Sequence, residues 1–184
     1  MYTTDIKALE LLSSYLYTIS KWNLSPQEAA TLYLLVSTSY QRLGATEEEQ
    51  HFLIKYLSTF ENVTTPEAMA VATHAARSAA INYIKSPAGS QKYHVPRLRA
   101  VRALATHTQY GRLYELVDIF AHKDLNAFLQ WCNTNPDNIT YLNEQGINKE
   151  KSIETMRLLT LCTLSSSDKV LSYEVIANAL QVSI

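Results

Sequence analysis

Glycine and proline are scarce in this chain, at four and five residues in 184. Hairpin turns and phosphate-cradling loops are built largely from those residues, so neither can organise the fold, and the composition favours helices. No G-x-G-x-x-G, G-K-[ST] or G-x-S-x-G run occurs, which removes the nucleotide-loop and hydrolase signatures. Cysteine is as sparse. Cys132 and Cys162 stand inside apolar helical patterns and read as small buried side chains of a reducing compartment, not as a disulfide framework. The five histidines, at positions 51, 74, 94, 107 and 122, never pair at i, i+4 with a third ligand nearby, so no zinc pattern is present. No apolar run approaches the roughly 18 residues of a membrane span, and Met1 to Glu10 lacks the basic and apolar regions of a signal peptide. A cytoplasmic protein without a membrane partner is expected. Neither sign of charge dominates: 16 Lys and Arg face 17 Asp and Glu, a net charge of -1, so any pull towards nucleic acid must come from a local patch. A catalytic residue, a metal, a cofactor and a small-molecule substrate are all unexpected.

What the chain does have is helical periodicity. Asp5 to Lys21 carries Leu9, Leu12, Leu16 and Ile19 on one stripe. Ser25-Pro26-Gln27-Glu28 places a capping serine, a proline at the first helical position and a glutamate that can bond back to the cap. The helix it opens should run to Leu43 and stop at Gly44, with Ala29, Leu32, Tyr33, Val36, Tyr40 and Leu43 inward and Leu34 and Leu35 meeting a second neighbour. Thr46-Glu47-Glu48-Glu49 repeats the capping logic, and its acids suit the positive end of a helix dipole better than a metal. That helix reaches about Phe60, burying Leu53, Tyr56, Leu57 and Phe60. From Thr65-Pro66 the next carries a stripe of small residues, Ala68, Val71, Ala72, Ala75 and Ala79, with His74 in a hydrogen-bonded packing role; Ser86 to Ser90 ends it in a loop. Pro96 to Ala105 reads as one shorter helix with Leu98, Val101 and Leu104 inward. Leu113, Leu116, Val117 and Phe120, then Leu125, Phe128, Leu129 and Cys132, keep perfect i, i+3, i+4, i+7 spacing. Pro136 to Gln145 is a short helix closed by Gly146.

Two residue groups invite a functional reading. Of the twelve tyrosines, Tyr15, Tyr17, Tyr33, Tyr40, Tyr56 and Tyr83 fall on apolar stripes, where a ring is buried and a hydroxyl stays wet; core is favoured over interface. Lys92, Arg97, Arg99, Arg102 and Arg112, with His94, form the one basic cluster, interleaved with Tyr93 and Tyr110. Arginine beside aromatics can hold RNA phosphates or an acidic partner, while a solvated face or salt bridges to the acidic helix is the plainer account.

The stretch from Lys151 to Leu164 differs from the rest. Ile153, Met156, Leu158, Leu159, Leu161, Cys162 and Leu164 leave no polar face, which predicts a helix covered on every side, a joint between two bodies. Ser165 to Lys169 follows as a turn, Val170-Leu171 as a short extended piece, and Ser172 as the cap of a helix with Tyr173, Ile176, Ala177 and Leu180 on one face. Helix, short strand, helix is how a winged helix begins.

Met156-Arg157-Leu158-Leu159-Thr160-Leu161, with Leu171-Ser172-Tyr173-Glu174 and Ile176-Ala177, resembles the carboxy-terminal part of PCI domains, the family of the proteasome lid, the COP9 signalosome and initiation factor three. Trp22-Asn23-Leu24-Ser25, Leu113 to Phe120 and Leu125 to Trp131 agree with it, so the likeness runs from about Trp22 to Val182. Within the family it is similar to the subunit m branch of eukaryotic translation initiation factor three. The resemblance implies an all-α, right-handed helical-repeat array of tetratricopeptide or HEAT type over residues 1–150, leading into an incomplete winged helix over 151–184. Members are longer on each side, so the chain is expected to be a fragment. The resemblance further implies a non-catalytic scaffold that assembles the initiation factor on the small ribosomal subunit, touching other PCI subunits and an MPN subunit. The winged-helix edge, Leu171, Tyr173, Ile176, Leu180 and Val182, would bind partners. The alternatives are a scaffold subunit of the COP9 signalosome, or an RNA-binding winged-helix module.

Overall fold

A computed structural model describes residues 23–63, 65–86, 94–165 and 172–181. Every element among them is helical and none is a strand, so the chain is all-α, consistent with a helical-repeat array. The expected helix over Asp5 to Lys21 and the extended pair Val170-Leu171 lie outside the described residues.

The described residues fall into two compact units, 23–63, 65–79 and 94–104 in the first and 80–86, 105–165 and 172–181 in the second. The first unit begins with α1 (Pro26–Leu43), which starts and stops where its sequence dictates. Ser25 Oγ accepts from the Glu28 amide at 3.3 Å while the Glu28 carboxylate accepts from the Ser25 amide at 2.8 Å, a complete capping box that also holds the Glu28 carboxyl below its ordinary pKa. Gly44 closes the helix at φ 71°, a conformation that costs any residue with a Cβ. α2 (Thr46–Ser58) packs antiparallel to it: the Tyr40 and Phe52 rings stack 5.8 Å apart beside Val36.

α2 corrects two expectations. Thr46 lies inside the helix and Ala45 is the cap position, without a side-chain bond, so no capping box forms here. Glu49 is thereby one residue too deep to reach back; it is buried and accepts from Gln41 Nε2 at 3.2 Å. On α1, Leu34 and Leu35 are not enclosed by a second neighbour: they stand 38% and 62% exposed, Leu34 lining a groove with Val71 and Ala75 of α3.

α3 (Pro66–Lys85) runs through both units. Its small-residue stripe is real but rotated from the one expected. Ala72, Ala75, Ala76, Ala79 and Ala80 are buried, whereas Val71 is 67% exposed and His74 faces solvent, not a packing partner. The polar link that fixes the register explains the rotation: Gln50, buried on α2, donates from Nε2 to the Ala79 carbonyl at 3.2 Å. Past α3, the expected single helix over Pro96 to Ala105 is a 3-10 turn (Val95–Arg97), a four-residue α4 (Arg99–Arg102) and a second 3-10 turn (Ala103–Thr106). Leu98 takes φ -58° and ψ 130°, outside the helical region, and breaks the run. Its predicted face survives, since Leu98, Val101 and Leu104 are all buried.

The second unit contains α5 (Gly111–His122), α6 (Leu125–Thr134), α7 (Asp137–Glu144), α8 (Lys149–Ser165) and α9 (Tyr173–Leu180). Leu113, Leu116, Val117 and Phe120 of α5 are all buried, as are Leu125, Phe128 and Cys132 of α6, and the Phe120 and Phe128 rings meet edge to face at 5.5 Å. Side chains of this size each contribute about 1.5–3 kcal/mol on burial. Polar links join the same helices: Trp131 Nε1 donates to the Glu115 carboxylate at 3.0 Å, and Asn138 Nδ2 to the Trp131 carbonyl at 2.7 Å. Asp124 caps α6 by accepting from the Ala127 amide at 2.9 Å. α8 packs on α6 and α9.

Candidate interaction surfaces

α8 was expected to be covered all round, and it is not. Its buried residues are Ser152, Met156 and Thr160, an i, i+4, i+8 stripe that is mostly polar. Leu158 is 64% exposed, Ile153, Leu159, Leu161 and Leu164 are half-buried, and Cys162 lies on the surface, so the reading of both cysteines as buried holds for Cys132 alone. Among the described residues the neighbouring helices enclose one narrow stripe of α8. Leucines elsewhere on its circumference face outward whatever their hydrophobicity. Both thiols are free; burial pushes that of Cys132 up.

α9 continues this open surface. Ser172 caps it as expected, accepting from the Val175 amide at 3.3 Å. Only Ala177 is buried; Ile176 and Leu180 are half-buried, Val175 is 48% exposed and Tyr173 86%. Two bonds hold the far end of the helix down. Arg157 Nε donates to the Leu180 carbonyl at 3.0 Å, placing a cation on the negative end of the α9 dipole. Gln181, in a left-handed conformation at φ 50°, donates from Nε2 to Asn126 Oδ1 at the start of α6. From its sequence, Arg157 is a lone charge in an apolar segment that must reach a carboxylate, a helix end or solvent, and it reaches the helix end. Leu171 and Val182, the remaining members of the expected partner-binding edge, lie outside the described residues.

Beside α8 and α9 a groove of about 840 Å³ opens between them and the α5–α6 corner. Leu159, Leu164 and Ala179 form apolar wall on one side, and Lys123 and Asp124 charge the other. At that corner Asp118 accepts from His122 Nδ1 at 3.0 Å and pairs with Lys123 Nζ at 3.2 Å. Sequence reading missed this charged rim. Its only trace is the change from apolar stripe to charge at the end of α5.

The basic cluster is less uniform than its sequence. Lys92 and Tyr93 lie outside the described residues. Arg97 and Arg102 are exposed in the first unit, and Arg112 is exposed in the second. Arg99, although exposed, is tied to the end of α2: its guanidinium donates to the Glu61 carbonyl at 3.3 Å while its amide donates to the Glu61 carboxylate at 3.0 Å. That carboxylate caps α4, so Arg99 closes its own unit. Among the described residues, no group of three or more His, Cys, Asp or Glu side chains is placed to hold a metal ion, and no helix is long and apolar enough to cross a membrane.

No family model matches the chain. Curated relatives do. Over 89% of its length the chain is 31% identical to eukaryotic translation initiation factor 3 subunit M of Dictyostelium discoideum, and over 88% it is 30% identical to the subunit M of Chaetomium globosum. The subunit M of Nematostella vectensis is 25% identical over 95% of the chain. The chain spans 39%, 37% and 42% of these three relatives, about two fifths of each. It is therefore related to subunit M along nearly all of its own length.

Proposed function

We propose that this chain is part of a subunit of translation initiation factor 3, acting as a non-catalytic scaffold in translation initiation in the cytoplasm. Its relatives carry that subunit's name. The observation that supports the scaffold reading is the set of large apolar side chains that α8 and α9 leave exposed, Leu158, Tyr173 and Val175. Exposed aromatic and aliphatic side chains on neighbouring helices are the material of a protein interface. In this reading residues 1–150 are the helical-repeat part of a PCI domain and 151–184 begin its winged helix. The edge of Leu171, Tyr173, Ile176, Leu180 and Val182 meets another PCI subunit, an MPN subunit lies within the same complex, and the small ribosomal subunit is reached through the complex. RNA contact is secondary and rests on Arg97 and Arg102 of the first unit, since Arg99 already serves its own fold.

Affinity purification of the full-length protein followed by mass spectrometry tests this. Initiation factor 3 subunits and small ribosomal subunits should co-purify, and Tyr173→Ser with Leu158→Ser should release them. Recovery of cullins and signalosome subunits in their place would assign the chain to the COP9 complex.

A further inference from the structure

Within the second unit, on the side of α8 near its start, a cleft of about 270 Å³ joins the end of α3 to the first two turns of α8. Its floor is apolar: Ile84 and Ile147 are 1% and 2% exposed. Its walls carry two ammonium groups, Lys85 and Lys151, with Ser152 and Asn148 between them. Residues 148, 151, 152 and 155 share one helix face, which is why side chains so close in sequence converge there. Gly146 forms the opposite lip at φ 65°, and a Cβ there would sit 3.5 Å from Lys85 Nζ, so the lysine lies close over bare backbone.

Three features make this more than a pair of surface lysines. Among the described residues neither ammonium is paired with a carboxylate. Glu150 and Glu154 are exposed on α8 but do not line the cleft. Ser152 is 4% exposed and lines the cleft, and its hydroxyl makes no hydrogen bond among the described residues, whereas Thr163 and Ser165 of the same helix bond back to carbonyls. A hydroxyl that opens onto the cleft without a protein partner is free to donate to a ligand there.

We propose that this cleft binds a phosphate monoester dianion. The two lysines match its charge of nearly -2, and Ser152 and the Asn148 amide supply neutral donors to its oxygens. A closed cleft, unlike a continuous basic track, suits a single phosphoryl group such as that of a phosphoserine in a partner protein. Free inorganic phosphate shares the chemistry.

The test is a titration of the full chain, with amide NMR shifts as readout, using inorganic phosphate and N-acetyl phosphoserine amide as probes. Saturable shifts should centre on Lys85, Gly146, Asn148, Lys151 and Ser152. Affinity should fall about tenfold in the Lys85→Gln, Lys151→Gln double variant with its circular dichroism unchanged, and fall again as the pH drops below about 6, where the second phosphate proton binds. Ser152→Ala should weaken binding without moving the site. Tighter binding of phosphoserine assigns the cleft to a phosphoprotein, and tighter binding of the inorganic ion assigns it to free phosphate. Shifts that never saturate, spread over other lysines, or survive the double substitution overturn the proposal.

Discussion

Two helix pairs in the same unit are covered very differently: α5–α6, read from regular apolar stripes, and α8–α9, whose first helix was read as apolar all round. On α5 all four stripe residues are buried and Phe128 of α6 is fully enclosed, while α8 leaves Leu158 64% exposed and α9 leaves Tyr173 86% exposed. α8 spreads its apolar residues round its circumference and buries few of them. Apolar periodicity states which faces can be buried. It does not state that the chain supplies a cover. α5–α6 is enclosed within the unit, and α8–α9 leaves apolar surface open.

The sharpest way to break this contrast is to truncate one residue on each side of it. Phe128→Ala removes a fully buried ring from its edge-to-face partner Phe120 and should cost about 3–5 kcal/mol. The protein should unfold at much lower denaturant. A loss below 1 kcal/mol, on the order of a surface substitution, would mean that α5–α6 is not the core.

The closed region should also carry an alkaline pH dependence. Tyr83, 2% exposed near the end of α3, has its phenol pushed up to about 12 by burial. The unfolded phenol ionises near its ordinary value of 10.0, so between these values the unfolded state loses a proton that the folded state keeps. Stability should therefore be fully present below about pH 10 and fall by about 2 kcal/mol as pH rises towards 12. Tyr83→Phe should remove that slope in denaturant melts at graded pH, and an unchanged slope would show another group responsible.

Arg157→Leu probes the open region. It removes the donor to the Leu180 carbonyl and should lower the free energy of opening α9 by about 1–2 kcal/mol. Amide exchange from Tyr173 to Leu180 should then accelerate while Leu113 to Phe120 keeps its protection. In the unaltered chain α9 should already exchange faster than α5. Equal protection in a dilute monomer would close the gap between the two pairs.

The smallest stability effect is expected at the most exposed apolar residues. Leu158→Ser and Tyr173→Ser should change stability by no more than about 0.5 kcal/mol while abolishing capture of the partner complex. Lost stability with retained capture would reverse the assignment of roles.

Much of the site was legible because it depends on local rules. Ser172 was readable as a cap, and Arg157 as a charge needing an outlet, from their neighbours alone. The cleft of Lys85, Lys151 and Ser152 was not, because Lys85 joins it from a helix 66 positions earlier in the chain.

The sequence by itself determined where helices begin and end when the signal is a cap or a break. Ser25 with Glu28 and Gly44 bounded α1, and regular spacing set the inward faces of α5 and α6. Those are interactions within a few residues, written in the order of the side chains. Only the tertiary structure decided what each face meets. Gln50 bonding to the Ala79 carbonyl rotated the alanine stripe of α3, and Glu61 capping α4 tied down Arg99. The narrow Ser152, Met156, Thr160 contact left the leucines of α8 outside. Each depends on a group brought up from far along the chain, and helical periodicity holds no record of such distances.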